Sequence, residues 1–267
     1  MPRGFVALLD VLGFSSLVAS DGDGEHLQRY LECLQEALDD KSVGPRVDYV
    51  VFSDSIVLTT QDDSEPALQA ILLRCSRALG LMLRSEIALR GAIACGSFFR
   101  SVGPSAVFVA GRAILDAYNF ETVQDWVGIM LAPSTIKRAP DLAKYCTLPE
   151  GGAISSAEGQ RVIREQLPWT AFVQPCHAIP FHADHPFESN NFSGFAIVPT
   201  DGVAEPLALR DSVERSLQAL EWLRSLAPSP SAQAKYSHSQ RWLYQIQRQW
   251  RDIAYWEERL RNEKGGA

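Results

Sequence analysis

The chain has 267 residues, 46% of them apolar and 21% charged, which are the proportions of a globular protein and not of a disordered one. Its 18 Gly and 15 Pro are too few for a collagen-like or linker-dominated chain. The 25 basic and 32 acidic side chains leave a formal charge of −7, which argues against a coat for nucleic acid but allows a small anion held by a metal or a local arginine.

Residues 4–10 form an apolar run ending in Asp10, the pattern of a buried strand. Leu12 to Leu17 open a short helix, and the Asp-Gly-Asp-Gly at 21–24 is a turn. Leu27, Tyr30, Leu31, Leu34 and Leu38 make a helical stripe between Glu25 and Asp39. Residues 46–52 and 55–60 are β-branched and aromatic runs hinged at Ser53-Asp54, which predicts a hairpin. Leu68, Ile71, Leu72, Cys75, Leu79 and Met82 then share one face of a second helix, and residues 87–95 are strand-like. The order β-α-β-β-α-β predicts a ferredoxin-like α+β fold: an antiparallel sheet with helices on one face. Further strands are expected at 107–109, 127–132 and about 170–198, with a helix from Gly111 to about Asp125.

The last third reads as two helices, 206–226 and 236–262, joined by Ala-Pro-Ser-Pro-Ser-Ala at 227–232. Trp222, Trp242, Trp250 and Trp256 lie there, which suits helices packing on a core or on a second subunit. Cys33, Cys75, Cys95, Cys146 and Cys176 are odd in number and lack Cys-x-x-Cys pairs, so reduced thiols in a cytoplasmic setting are expected. The N-terminal apolar run is too short for a signal peptide, and no stretch approaches the ~20 apolar residues of a membrane span.

Asp10 and Asp54 are predicted to lie side by side on neighbouring strands. Two carboxylates in a partly buried place repel unless a cation lies between them, and oxygen-only ligands favour Mg²⁺ or Mn²⁺ completed by phosphate oxygens. The plainer alternative is a helix cap at Asp10 and a turn residue at Asp54. Gly13 and the backbone amides of Leu12, Gly13 and Phe14 would open a helix N-terminus, a natural phosphate site. Together these describe a nucleoside triphosphate site. Cys176, His177, His182 and His185 have a zinc-like composition, but Pro175, Pro180 and Pro186 interleave them and favour ordinary loop histidines. Ser53-Asp54-Ser55 lacks the Gly-x-Ser-x-Gly frame of a hydrolase elbow.

Residues 10–17, Asp-Val-Leu-Gly-Phe-Ser-Ser-Leu, resemble the Asp-Ile-x-Gly-Phe-Thr-x-Leu motif of class III nucleotidyl cyclases. Phe52-Ser53-Asp54-Ser55 resembles that family's Ile-Gly-Asp hairpin, and the two aspartates stand 44 positions apart, close to the family separation. Leu89 to Gly96 resembles the strand Arg-x-Gly-Ile-x-x-Gly, and Val109-Ala110-Gly111 with the helix after it resembles Gly-x-x-Val-Asn-x-Ala-x-Arg. The four motifs occur in the family order over about residues 4–125.

The resemblance implies that Asp10, Asp54 and the backbone carbonyl of Val11 hold two divalent cations, Mn²⁺ or Mg²⁺, for attack of the ribose 3′-hydroxyl on the α-phosphate. It also implies a homodimer with active sites at its interface, the base and ribose contacts coming from the partner's segment around Phe108–Asn119. The chain departs from the pattern at informative places. The family's Asn and transition-state Arg fall on Leu115 and Asn119, which leaves Arg112 or Arg90 as the candidate cation. The purine-reading positions fall on Val50 and Phe108, which can wall a ring but cannot hydrogen-bond its edge. Base reading would then pass to Tyr49, Arg46 or a backbone amide, and a cationic or hydroxyl donor there favours the uracil O4 acceptor.

With the run from Gly111 to Glu121, these departures resemble the bacterial pyrimidine cyclases of Pycsar anti-phage systems. That resemblance implies conversion of UTP to cyclic UMP, or of CTP to cyclic CMP, as a signal for a separate effector. It divides the chain into a catalytic domain at 1–200 and a helical extension at 201–267. The competing expectations are a nucleotide-binding cyclase fold without activity, and diguanylate synthesis, which would want a Gly-Gly-Asp-Glu-Phe-like hairpin.

Overall fold

A computed structural model of the protein describes residues 1–39, 44–103, 107–140, 172–182, 184, 191–201 and 206–264. Cys146, His185 and the side chains of His177, Trp250 and Trp256 lie outside the described residues.

The first strand, β1 (Arg3–Leu12), is central because it is apolar on both faces. Phe5, Ala7, Leu9 and Val11 point into the main core, whereas Val6 and Leu8 join smaller clusters on the opposite face. Two helices follow, α1 (Phe14–Ser20) and α2 (Glu25–Leu38). The stripe of α2 buries Tyr30, Leu34 and Leu38, as its spacing predicts, with Cys33 and Ala37 beside them, but Leu31 is exposed. The hairpin β2 (Val47–Phe52) and β3 (Ser55–Thr60) closes through the two-residue turn Ser53-Asp54. Helix α3 (Glu65–Arg84) then crosses the core face. Its N-terminus is capped by the Ser64 hydroxyl, which accepts from the Ala67 N–H at 3.4 Å.

Strand β4 (Ala88–Val102) is long, and its outer end pairs with β5 (Val107–Gly111). Helix α4 (Arg112–Val123) returns along the sheet to β6 (Gly128–Leu131), which lies parallel to β4. The short α5 (Pro133–Arg138), then β7 (Val173–Pro180) and β8 (Asn191–Ile197), follow. The strand order is β2-β3-β1-β4-β6-β8-β7, with β5 paired to β4 off that path. Its first four strands are the expected ferredoxin-like arrangement, and the pairing is antiparallel except for β4 with β6. The fold is α+β.

The two long helices of the ferredoxin-like unit share one face, as expected, and the helix after it covers the other. While α2 and α3 pack on the core face, α4 lies on the other, its Ala113 and Ala117 meeting Val6, Phe98 and Ala94. Small residues on both sides let the helix approach the sheet closely.

The C-terminal helices are α6 (Pro206–Leu226) and α7 (Pro230–Lys264). Helix α7 starts earlier than the predicted 236, because Pro230 occupies the first turn, where its missing N–H costs nothing, and Ser229 caps it by accepting from the Ala232 N–H at 3.2 Å. Val213, Leu217, Leu220, Trp242, Leu243 and Ile246 belong to the same core as β1 and α3. Among the described residues, α3 is long and apolar enough to cross a membrane, with a mean hydropathy of 1.2, which corrects the expectation that no stretch comes near; 78% of that stretch is buried inside the fold.

The segment after β8 is pinned to the middle of α3. The Ser76 hydroxyl bonds the Val198 carbonyl at 2.6 Å, and the Thr200 N–H donates to the Ser76 carbonyl at 3.2 Å. A Cβ at Gly80 would stand 2.4 Å from the Thr200 carbonyl oxygen. Gly80→Ala should therefore destabilise the protein by about 2 kcal/mol in urea unfolding, although alanine is the better helix former by ~1 kcal/mol. A gain in stability would contradict this packing.

Candidate functional site

Asp10, next to the end of β1, is flanked by Ser55 on β3 and by Arg90 on β4. Asp54 completes the adjacent turn, and its backbone carbonyl accepts the Val11 N–H at 2.9 Å. The register thus brings the two aspartates to one end of adjacent central strands, as the spacing predicts. Burial pushes the Asp10 carboxyl above the ordinary range; the Arg90 guanidinium opposes this, and the Asp54 charge adds to it.

Arg90 is the hub of the site. Its Nη2 lies 3.3 Å from Asp10 Oδ2 and 2.7 Å from Glu121 Oε1, its Nε donates to Glu121 at 2.8 Å, and its Nη1 donates to the Gln124 carbonyl at 3.0 Å. Glu121 is only 4% exposed, and burial pushes its carboxyl up against the pull of Arg90. The sequence reading passed over Glu121. The available signal was its place eight residues after Ala113 and four after Ala117, on the inward face of α4.

The turn carries local strain. Ser53 sits at φ 57, in the left-handed region that favours glycine, and its carbonyl accepts from the Tyr30 hydroxyl at 3.4 Å. Burial, with the Asp54 charge behind it, pushes the Tyr30 hydroxyl up to about 12. Gly13 adopts φ 77, and its carbonyl accepts from the Ser16 and Leu17 N–H groups at 3.0 Å. Glycine is required there by its backbone angle. Phe14 packs its ring edge-on against Tyr30 at 5.7 Å and Leu12 packs on the core, so only the backbone of this segment is left for a ligand.

The structure does not gather every expected residue. Val50 pairs with Val57 and shares the face of Asp10. Tyr49 points to the opposite face, where its hydroxyl donates to Asp39 at 2.8 Å, because neighbouring residues of a strand alternate. Arg46 bonds Asp48 at 2.7 Å. Phe108 and Arg112 flank the far end of β4, where Gly111 faces Phe98, about 26 Å along the strand from Arg90. Phe108 is 58% exposed, and Arg112 and Asn119 are also exposed. Within one chain the cluster is therefore Asp10, Asp54, Arg90 and Glu121, without Arg112 or Phe108. Cys176 is a core thiol pushed up to about 12 by burial, whereas His182 lies 3.4 Å from Arg90 Nη1 and 3.5 Å from Asp125.

No group of three or more His, Cys, Asp or Glu side chains that could hold a metal gathers among the described residues. Two partly buried carboxylates with a free approach from solvent nevertheless fit a hard divalent cation whose remaining ligands are water and phosphate oxygens.

No family model matches the chain, and no curated protein matches it. Solved structures do. The guanylyl cyclase Cya2 is 9% identical over 73% of this chain and 90% of its own, with a TM-score of 0.44. The adenylyl cyclase CyaB from P. aeruginosa is 14% identical over 52% and 81%, with a TM-score of 0.39. An adenylate cyclase from Trypanosoma brucei is 13% identical over 74% and 89%, also at 0.39.

Proposed function

We propose that the chain is a class III nucleotidyl cyclase that converts UTP to 3′,5′-cyclic UMP and diphosphate. The observation that carries this reading is Asp10 on β1 beside Asp54 in the β2–β3 turn, with Arg90 against Asp10. Asp10, Asp54 and the Val11 carbonyl would hold two divalent cations, Mn²⁺ or Mg²⁺. Bound there, the cations neutralise the triphosphate and make the ribose 3′-hydroxyl more acidic. The 3′-oxygen bonds the α-phosphorus, the bond to the bridging oxygen breaks, diphosphate leaves, and the hydroxyl proton passes to solvent. Arg90 keeps a cationic group beside the carboxylates, where negative charge develops.

Val50, on the face of Asp10, offers a wall and no hydrogen bond, and Phe108 offers a ring. Neither reads a purine edge, which supports a pyrimidine; CTP is the second substrate to consider. The product would act on a separate effector in anti-phage signalling, and the enzyme would work in the cytoplasm. Residues 1–200 form the catalytic domain in this reading, and 201–267 its extension. Leu115 and Asn119, at the positions of the family's Asn and Arg, favour the second reading, a cyclase fold that binds nucleotide without turning it over.

The assay is pyrophosphate release with Mn²⁺ and each of UTP, CTP, ATP and GTP. UTP should be turned over, the purines should be disfavoured by about 10²-fold, as an apolar wall discriminates, and Asp10→Ala or Asp54→Ala should fall below about 1% while the circular dichroism stays that of the folded protein. Preference for a purine would overturn the pyrimidine assignment, and preference for CTP only the base. No release with any nucleotide would favour the binding module.

We also propose a homodimer. Phe99, Val102, Val107, Phe108, Leu115 and Tyr118 form an exposed apolar surface on β4, β5 and α4, of the kind that marks an interface. A second copy seated there would bring its own Phe108, Arg112 and Asn119 to Asp10. Leu115, 63% exposed, is the place to test it: Leu115→Glu should give a monomer without turnover by light scattering and assay. A fully active monomeric wild type would contradict the dimer.

A further inference from the structure

The network around Arg90 continues into the C-terminal extension. Two of the groups that hold Arg90, the Glu121 carboxylate and the Gln124 carbonyl, lie at the end of α4 and just beyond it. The next three residues are each gripped by α7. Lys235 Nζ lies 3.1 Å from Asp125 Oδ1, and the rings of Trp242 and Trp126 meet edge to face at 5.5 Å. The Ser239 hydroxyl, buried, donates to the Val127 carbonyl at 2.6 Å and accepts from the Val127 N–H at 3.0 Å.

From there the links run back to the site. The Trp126 indole N–H donates to the Gln124 side-chain carbonyl at 2.7 Å. The Gln124 amide nitrogen in turn donates to the Gly91 carbonyl, beside Arg90, at 2.8 Å, and to the Phe120 carbonyl at 2.7 Å. Asp125 also faces His182, whose ring lies against Arg90. The buried links of this chain, Ser239 to Val127 and Trp126 through Gln124 to Gly91, are hydrogen-bonded and hold their members in one arrangement.

We propose that α7 is a positioning element for Arg90, with Lys235, Ser239 and Trp242 as its positioning residues. The extension then holds the guanidinium beside the metal-binding carboxylate, in addition to covering the core. The inference rests on the reading of Asp10 and Arg90 given under Proposed function.

The test uses the full chain labelled with ¹⁵N-arginine, with the Arg90 Nε–H signal identified by its loss in Arg90→Lys. Ser239→Ala and Lys235→Met should speed solvent exchange of that proton about tenfold and weaken Mn²⁺ binding, read by electron paramagnetic resonance of the free ion, to a similar extent. Ser239→Thr, which keeps the hydroxyl, should restore both. Arg215→Ala, which removes the ion pair from α6 to Asp201, should leave both within about twofold.

If Ser239→Ala and Lys235→Met shift the melting temperature but leave Arg90 exchange like wild type, α7 only supports the fold and the proposal fails. Lys235→Met alters a partly exposed side chain, so it reports even if Ser239→Ala does not fold. Accelerated Arg90 exchange without pyrophosphate release from any nucleotide would remove the cyclase reading and leave the positioning role standing; turnover with unchanged exchange would do the reverse.

Discussion

Like charges crowded at the end of a sheet are the constraint on which the rest of this structure turns. Asp10 and Asp54 are brought together by β1 and the β2–β3 turn, and a third carboxylate, Glu121, is buried nearby. In a half-buried place such a set is unfavourable without positive charge. Arg90 supplies it, donating to Asp10 and Glu121 from Nη2 and Nε and to the Gln124 carbonyl from Nη1. The arrangement is poised: the protein partly neutralises its own acidic cluster while leaving Asp54, at the turn, open to a cation.

The scaffold follows from bringing α4 to that place. Ala94 on β4 and Ala113 and Ala117 on α4 are small and buried, so helix and sheet approach closely and Glu121 reaches Arg90. The same helix presents Leu115 and Tyr118 outward beside the β4–β5 ribbon. One face of α4 thus serves the acidic cluster and the other an apolar surface suited to a second chain. Phe108 and Arg112 stand far from Asp10 within a chain because they flank the opposite end of β4.

Much of the architecture was legible because it rests on periodicity. The run ending in Asp10, the two-residue turn at Ser53-Asp54 and the stripes of α2 and α3 were readable from residue spacing alone. What escaped depended on direction or on distance in the chain. Tyr49 and Val50 are neighbours, and only the pleat decides that Tyr49 turns away to Asp39. Phe14 sits in the glycine motif but spends its ring on Tyr30. Pro230 reads as a breaker and starts a helix instead. The grip of Lys235 and Ser239 on residues more than a hundred positions earlier leaves no local trace.

The most direct measurement is a crystal structure with Mn²⁺ and a non-reacting UTP analogue, the metal located by anomalous scattering at the manganese edge. The account predicts manganese between Asp10 and Asp54, the triphosphate against it, and Arg90 still held by Glu121. Manganese bound elsewhere, or nucleotide bound away from these two aspartates, would contradict it.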